Sequence, residues 1–149
     1  MITDNLKLKG RVALELRGKD GQVKETREID NLVVDAGLDF IASRMAGTSS
    51  DVMSHMALGS GTTAAAAGDT DLGSILGSRE LLDSVTVTDN TVVYVSSFEA
   101  GDATGAVTEA GIFNAASAGT MLCRTVFSVV NKAADDTLSV TWTITISAS

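Results

Sequence analysis

The chain has 149 residues and a mass of 15.3 kDa, the size of one domain able to bury a core of its own. Its 44% apolar and 20% charged residues exclude global disorder, and a net charge of −8 with a pI near 4.4 argues against attraction to nucleic-acid backbone or anionic lipid. Cys123 is the only cysteine, which excludes an intrachain disulfide and a multi-cysteine metal site, and proline is absent, which leaves fourteen glycines and the Asn/Asp residues to set the turns.

No run of about eighteen apolar residues is present to span a bilayer, and Met1–Gly10 lacks the hydrophobic centre of a signal peptide, so synthesis in the cytosol is the expectation. Leu6–Arg17 alternates as Leu6, Leu8 and then Val12, Leu14, Leu16, with the phase kept across Gly10; this predicts one long strand that bends or bulges at the glycine. Asp20-Gly21 is a strong hairpin turn, and Val23–Ile29 returns as a polar strand whose Lys24, Glu25, Arg27 and Glu28 mark a solvated edge.

From Asp35 to Ala46 the period changes. Leu38, Ile41, Ala42 and Met45 fall at i, i+3, i+4 and i+7, which predicts a helix of about three turns buried on that face, N-capped by Asp35 and closed by Gly47. Val52–Leu58 is expected as a strand leading into a turn at Gly59-Ser60-Gly61. Ala64–Asp71 (AAAAGDTD) is low in complexity and carries no packing signal; it reads as an exposed loop, with Asp69 or Thr70 capping a short helical turn over Leu72–Leu76. Ser84–Thr88 and Thr91–Phe98 form a second hairpin around Asp89-Asn90, with Val85 and Val87 sharing one face.

The remaining strands lie between Val107 and Ile146, ending in the clearest β signal of the chain: Leu138, Val140, Trp142, Ile144 and Ile146 alternate with Ser and Thr, so all five leave one face for the core. Eight or nine short strands and one short helix at about 35–46 predict an all-β fold, a single-domain β-sandwich or jelly-roll-like arrangement of residues 1–149.

Reacting groups are scarce. Cys123 and His55 are a formal nucleophile–base pair, but Cys123 lies within an apolar strand, where a free cysteine serves as a small buried hydrophobe. A lone histidine makes poor zinc chemistry. Asp69 and Asp71, with Asp51, Asp83 and Asp102 elsewhere, lack the spacing of a calcium loop, and Gly59-Ser60-Gly61 lacks the lysine of a phosphate loop. Glu109, flanked by residues that belong inside, is either an acid–base group or, on the favoured reading, a scaffold carboxylate accepting backbone amides or pairing with Arg124 or Arg79; Gly111 beside it permits a close approach or a bulge. Only Tyr94 and Trp142 have rings suited to stacking on a sugar, and Trp142 is expected inside. The expectation is therefore no catalytic residue, no metal, no cofactor and no small-molecule substrate.

The ordered series ALGSGTT, DTDL, EAGIF and DTLSVTW, set in NLVVDAGLDFIASRMAG and the stretches that follow it, covers Asn31–Ile146. On these residues the chain resembles a family of bacteriophage virion structural proteins, small β-rich proteins of the capsid surface, called decoration or cement proteins, or of the tail and fibres. The resemblance implies no enzyme activity. It implies a protein made in the host bacterial cytoplasm that ends on the virion, binding the major capsid protein and further copies of itself, commonly as a homotrimer. Contacts would come from an N-terminal arm over residues 1–9, with Met1, Ile2 and Leu6, or from the loop carrying Thr62, Thr63, Asp69 and Asp71, because short modules gain affinity by multivalent contact. The alternative position is tail, baseplate or fibre, with a role in assembly or host attachment. Ala65–Ala67 depart from the family pattern, in which proline is expected after the Gly-Thr-Thr.

Overall fold

A strand of period two must bury one face, and Thr137–Ala148 (β10) does so against the rest of the chain. Leu138, Val140 and Trp142 are fully buried, Ile144 nearly so, and Ile146 half-buried at the end of the core. The structure, a computed structural model, describes residues 6–48 and 51–148. Among these residues ten strands and one helix occur: Leu6–Arg17 (β1), Val23–Asp30 (β2), Leu32–Val33 (β3), Asp35–Met45 (α1), His55–Gly59 (β4), Glu80–Leu81 (β5), Ser84–Thr88 (β6), Thr91–Phe98 (β7), Gly105–Phe113 (β8), Met121–Lys132 (β9) and β10. The chain is an all-β sandwich of two five-stranded antiparallel sheets, in the orders β2-β1-β10-β7-β6 and β3-β9-β8-β4-β5. Two strands, β3 and β5, have two residues each, too few to show a period, which is why the strand count exceeds the eight or nine expected.

In the first sheet, β1 runs unbroken beside β10 from Leu6↔Ala148 to Arg17↔Thr137. Gly10 is therefore no bulge against β10. Its hydrogen marks a close approach instead: a Cβ there would lie 1.5 Å from Asn31 Oδ1, so the Asn31 side chain occupies the space a larger residue would need. The irregularity of β1 lies between Leu16 and Arg17, against β2. Residues 6–9, read from the sequence as part of an arm, belong to this strand; Met1 and Ile2 lie outside the described residues. As expected, β2 is an edge strand, and its charges hold partners of their own chain. Glu28 accepts from Arg11 (2.6 Å), Lys24 pairs with Asp136 (2.9 Å), and Arg27 donates to the carbonyls of Ser128 and Val129 (3.0 and 3.1 Å).

The second sheet is covered on both faces. Ala110 and Ile112 of β8 point into the sandwich core, while Glu109, Gly111 and Phe113 point outward, yet every residue from Val107 to Phe113 is buried. Its outer cover is α1 together with the long connection from β4 to β5, residues 60–79, which lies across the sheet as a strap. A small outer core of Val34, Ala57, Phe113 and Met121 forms beneath them, with Ala36 and Leu72 packed against it.

The helix spans the expected residues but turns a different face inward. Gly37 is buried against the backbone of β9, where a Cβ would stand 2.1 Å from the Leu122 carbonyl oxygen; Ala36, Phe40 and Ile41 are half-buried, whereas Leu38 (43% exposed) and Met45 (81%) face out and Ala42 is exposed. The close approach that glycine permits sets the rotation of the helix, and apolar spacing alone cannot show it. Asp35 is not the N-cap. That position is Val34, with no capping side chain, and the Asp35 N–H is satisfied by the Ala67 carbonyl of the strap (2.8 Å). Gly47 does adopt the left-handed conformation expected after a helix, with φ of 71°. No helical turn forms over Leu72–Leu76. Ile75 makes a bridge to Gly59, and the N–H groups of Gly73 and Ser74 point at Glu109.

Candidate functional site

The strap is held to the second sheet at a site where the buried side chains of Glu109, Arg124 and Thr108 meet. Glu109 sits on the outward face of β8 with no exposed surface. Its Oε2 accepts the backbone N–H groups of Gly61 (2.6 Å) and Ser74 (2.8 Å); its Oε1 accepts that of Gly73 (2.8 Å) and two from Arg124, through Nε (3.1 Å) and Nη2 (3.0 Å). Glycine is required where the strap comes down: a Cβ on Gly61 would lie 2.3 Å from Glu109 Oε2, and one on Gly59 2.5 Å from the Ser74 carbonyl oxygen. Of Gly59-Ser60-Gly61 only the Gly61 N–H reaches the carboxylate; with the amides of Gly73 and Ser74 it forms an anion cradle whose anion belongs to the chain.

Arg124, on the neighbouring strand β9 opposite Gly111, completes the site. Besides its two bonds to Glu109 it donates from Nη1 to Asp69 Oδ2 (2.8 Å) and from Nη2 to the Thr63 carbonyl (3.0 Å). Asp69 also accepts the Ala66 N–H (2.9 Å), and Thr108 donates its hydroxyl to the Gly61 carbonyl (2.7 Å). Burial by itself pushes the Glu109 carboxyl up, but the amides of Gly73, Ser74 and Gly61 and the Arg124 guanidinium outweigh it and hold the group below the usual carboxylate range. Asp69 is likewise held low, first by the Ala66 amide and then, against the opposing effect of burial, by Arg124. With five donors on its two oxygens, Glu109 has neither solvent access nor a free lone pair suited to proton transfer. Of the two arginines considered for it, Arg124 is the partner. Arg79 stacks 3.6 Å from the Phe113 ring centroid, donates to the carbonyls of Ala115 and Ala118 (2.9 and 2.8 Å) and approaches Asp71 at 3.7 Å.

A second polar cluster closes one end of the sandwich. Lys132 is buried and donates to the Glu99 carbonyl (2.8 Å); burial pushes its ammonium down, against the pull of Asp102, Asp136 and Glu99. Asp136, held low first by its bond with Lys24, also accepts the Ala133 N–H (2.9 Å).

Gly111 has Leu72 Cδ2 3.1 Å from where its Cβ would stand, so the glycine makes room for the side chain that seats the strap. Thr62 and Thr63 are exposed on the strap; Asp69 is turned inward to Arg124, and Asp71 is largely exposed. Leu6 is 67% exposed at the start of β1. Cys123 is fully buried and its thiol is pushed well up by burial, which disfavours the thiolate a nucleophile needs. His55 lies two strands away on β4, its Nδ1 2.7 Å from Ser54 Oγ. Among the described residues no three His, Cys, Asp or Glu side chains cluster to hold a metal ion, and no helix is long and apolar enough to cross a membrane. Trp142 is fully buried, out of reach of a sugar.

The sequence pointed to Glu109 and to Arg124 as one of two partners, but not to the strap they hold. Its three amides come from backbone, on which side-chain type is silent. Comparison with protein-family models, with curated proteins and with solved structures finds no match to this chain.

Proposed function

We propose that this chain is a non-enzymatic structural protein of a bacteriophage virion, a capsid decoration protein that binds the major capsid protein lattice and other copies of itself. The observation that carries the reading is the use made of the buried ionic groups. Glu109, Arg124 and Asp69 are spent on fixing the strap to the second sheet, so the surface formed by the strap is ordered before any partner arrives. A preordered surface loses less conformational entropy on docking, which suits a subunit that adheres through many small contacts. The residues of the strap also carry two of the sequence series on which the virion resemblance rests. The excess of acids fits a place on the outer surface, facing away from packaged DNA.

The test is localisation by electron microscopy on intact particles, with re-addition of purified protein to capsids that lack it. Density at regular lattice positions and saturable re-binding are expected. Density confined to the tail would move the chain to the baseplate or fibre, and failure to bind capsids would remove the decoration role. The resemblance implies three copies per assembly, a number that mass measurement on the released complex reads directly.

A further inference from the structure

The two edges of the first sheet are built differently. At β2 the outer strand carries charges that already hold partners in the same chain. At the other edge β6 reads Ser-Val-Thr-Val-Thr: no charge, no proline, and a register against β7 that runs unbroken from Ser84↔Val95 to Thr88↔Thr91. Among the described residues β6 has no second neighbour, so on alternate residues its N–H and C=O groups face outward unpaired. Folded proteins commonly guard such an edge with a lysine, a proline or a bulge, and this one has none. Val85 and Val87 lie opposite Tyr94 and Val92, on the core-facing side of the sheet, yet they are 49% and 70% exposed because the second sheet ends at the two-residue β5 and does not reach over them.

We infer that β6 is a contact between two copies of this chain, joined edge to edge by antiparallel pairing about a two-fold axis at Thr86. The occupant follows from the pattern. Two-fold antiparallel pairing places each residue of β6 against its mirror position, Ser84 opposite Thr88, Val85 opposite Val87, and Thr86 opposite itself. Residues directly opposite share a face, so two Val85–Val87 pairs meet on the core side and the hydroxyl residues meet on the other, both favourable cross-strand pairings. A charge at position 86 would meet itself across the axis; the five residues of β6 carry none. A charged peptide partner would find nothing complementary on this strand.

The same symmetry brings Asp83 of each copy near Asp89 of the other. The repulsion limits the pairing to the five residues and gives the contact a signature, because added salt screens it and strengthens association. A pair of strands about 17 Å long falls among small, weak interfaces, so association is expected at high protein concentration, or where copies are held side by side on a common surface. The inference stands on the geometry of β6 and does not depend on the virion reading.

The test uses the full chain in sedimentation equilibrium over a concentration series, with and without added salt. A reversible dimer that salt strengthens is expected. Thr86→Lys, at an exposed position on the solvent side, sets two ammonium groups opposite each other at the axis and should weaken the dimer by about tenfold or more, with an unchanged melting temperature showing intact folding. Thr86→Cys should form a disulfide-linked dimer under mild oxidation, whereas Ser84→Cys should not, since the two copies of residue 84 would be about 13 Å apart in this register. A monomer at every concentration, an oligomer indifferent to Thr86→Lys, or cross-linking through Ser84→Cys as fast as through Thr86→Cys would each overturn the inference. A threefold species untouched by these changes would assign self-association to another surface.

Discussion

Glu109→Gln removes one charge and keeps the shape of the side chain. In the native protein Oε2 accepts two N–H groups and Oε1 accepts three. A glutamine has one oxygen to offer, so its amide nitrogen must face either three donors or, turned over, two. At about 1–3 kcal/mol for each buried donor left unsatisfied, the better orientation costs about 2–6 kcal/mol. Breaking a buried ion pair by removing one partner typically costs about 3–5 kcal/mol, which narrows the expectation to that range. In a chain of this length each kcal/mol is worth about 2–4 °C, so the melting temperature should fall by about 6–20 °C. The assay is urea and thermal unfolding followed by the fluorescence of Trp142, the single tryptophan and fully buried, with elastase cleavage at Ala64–Ala67 reporting separately on release of the strap. The pH dependence gives an independent check. A carboxyl held low in the folded protein contributes stability that is present above its unfolded value and is lost as pH falls through the folded one. The gap between wild type and variant should therefore be full at neutral pH and shrink as pH drops below about 4.5. Asp69 and Asp136 titrate in both proteins. A loss under about 1 kcal/mol, or a gap that does not change with pH, would refute the role assigned to Glu109.

Gly10→Ala should destabilise by about 1–3 kcal/mol because the new Cβ displaces Asn31, and adding Asn31→Ala should recover most of that loss; a urea midpoint that does not recover would break the link between the two residues. Trp142→Ala should cost about 3–5 kcal/mol, and an unchanged melting temperature would take that residue out of the core. Tyr94, the single tyrosine, has its hydroxyl pushed up to about 12, first by burial and then by the neighbouring Cys123 thiol. Absorbance titration of the native protein should show that high midpoint, with stability falling as pH rises past the unfolded value of about 10; a native midpoint near 10 would mean the ring is exposed.

The strands that fill one face were legible. Alternation over 137–148 and 91–98, and the D-N turn between Thr88 and Thr91, identify elements whose positions are set by burial of side chains the sequence names. Where backbone governs, the sequence is quiet. Helix α1 has the length its spacing implies, but its rotation follows from Gly37 lying on Leu122, a contact of one backbone with another. Residues 64–71 look featureless because Ala66 and Ala67 act through an N–H and a carbonyl, to Asp69 and Asp35. Glu109 stood out for the opposite reason, as a charge among residues that belong inside. Its bond to Arg124 was one of two options that the sequence could not separate, since Arg79 also lies within reach of the second sheet and finds Phe113 instead.

The cradle beneath the strap has a consequence for ligand binding. Three convergent amides and a guanidinium are what a receptor for a small carboxylate needs, and here the guest is covalently part of the host. Glu109→Ala would leave the host without its guest. Acetate or formate should then bind in the vacated space and raise the melting temperature of that variant with the logarithm of ligand concentration above the dissociation constant, while leaving the wild type unmoved. The loss of one side chain would thus turn the cradle into a carboxylate sensor whose signal is the closing of its own strap.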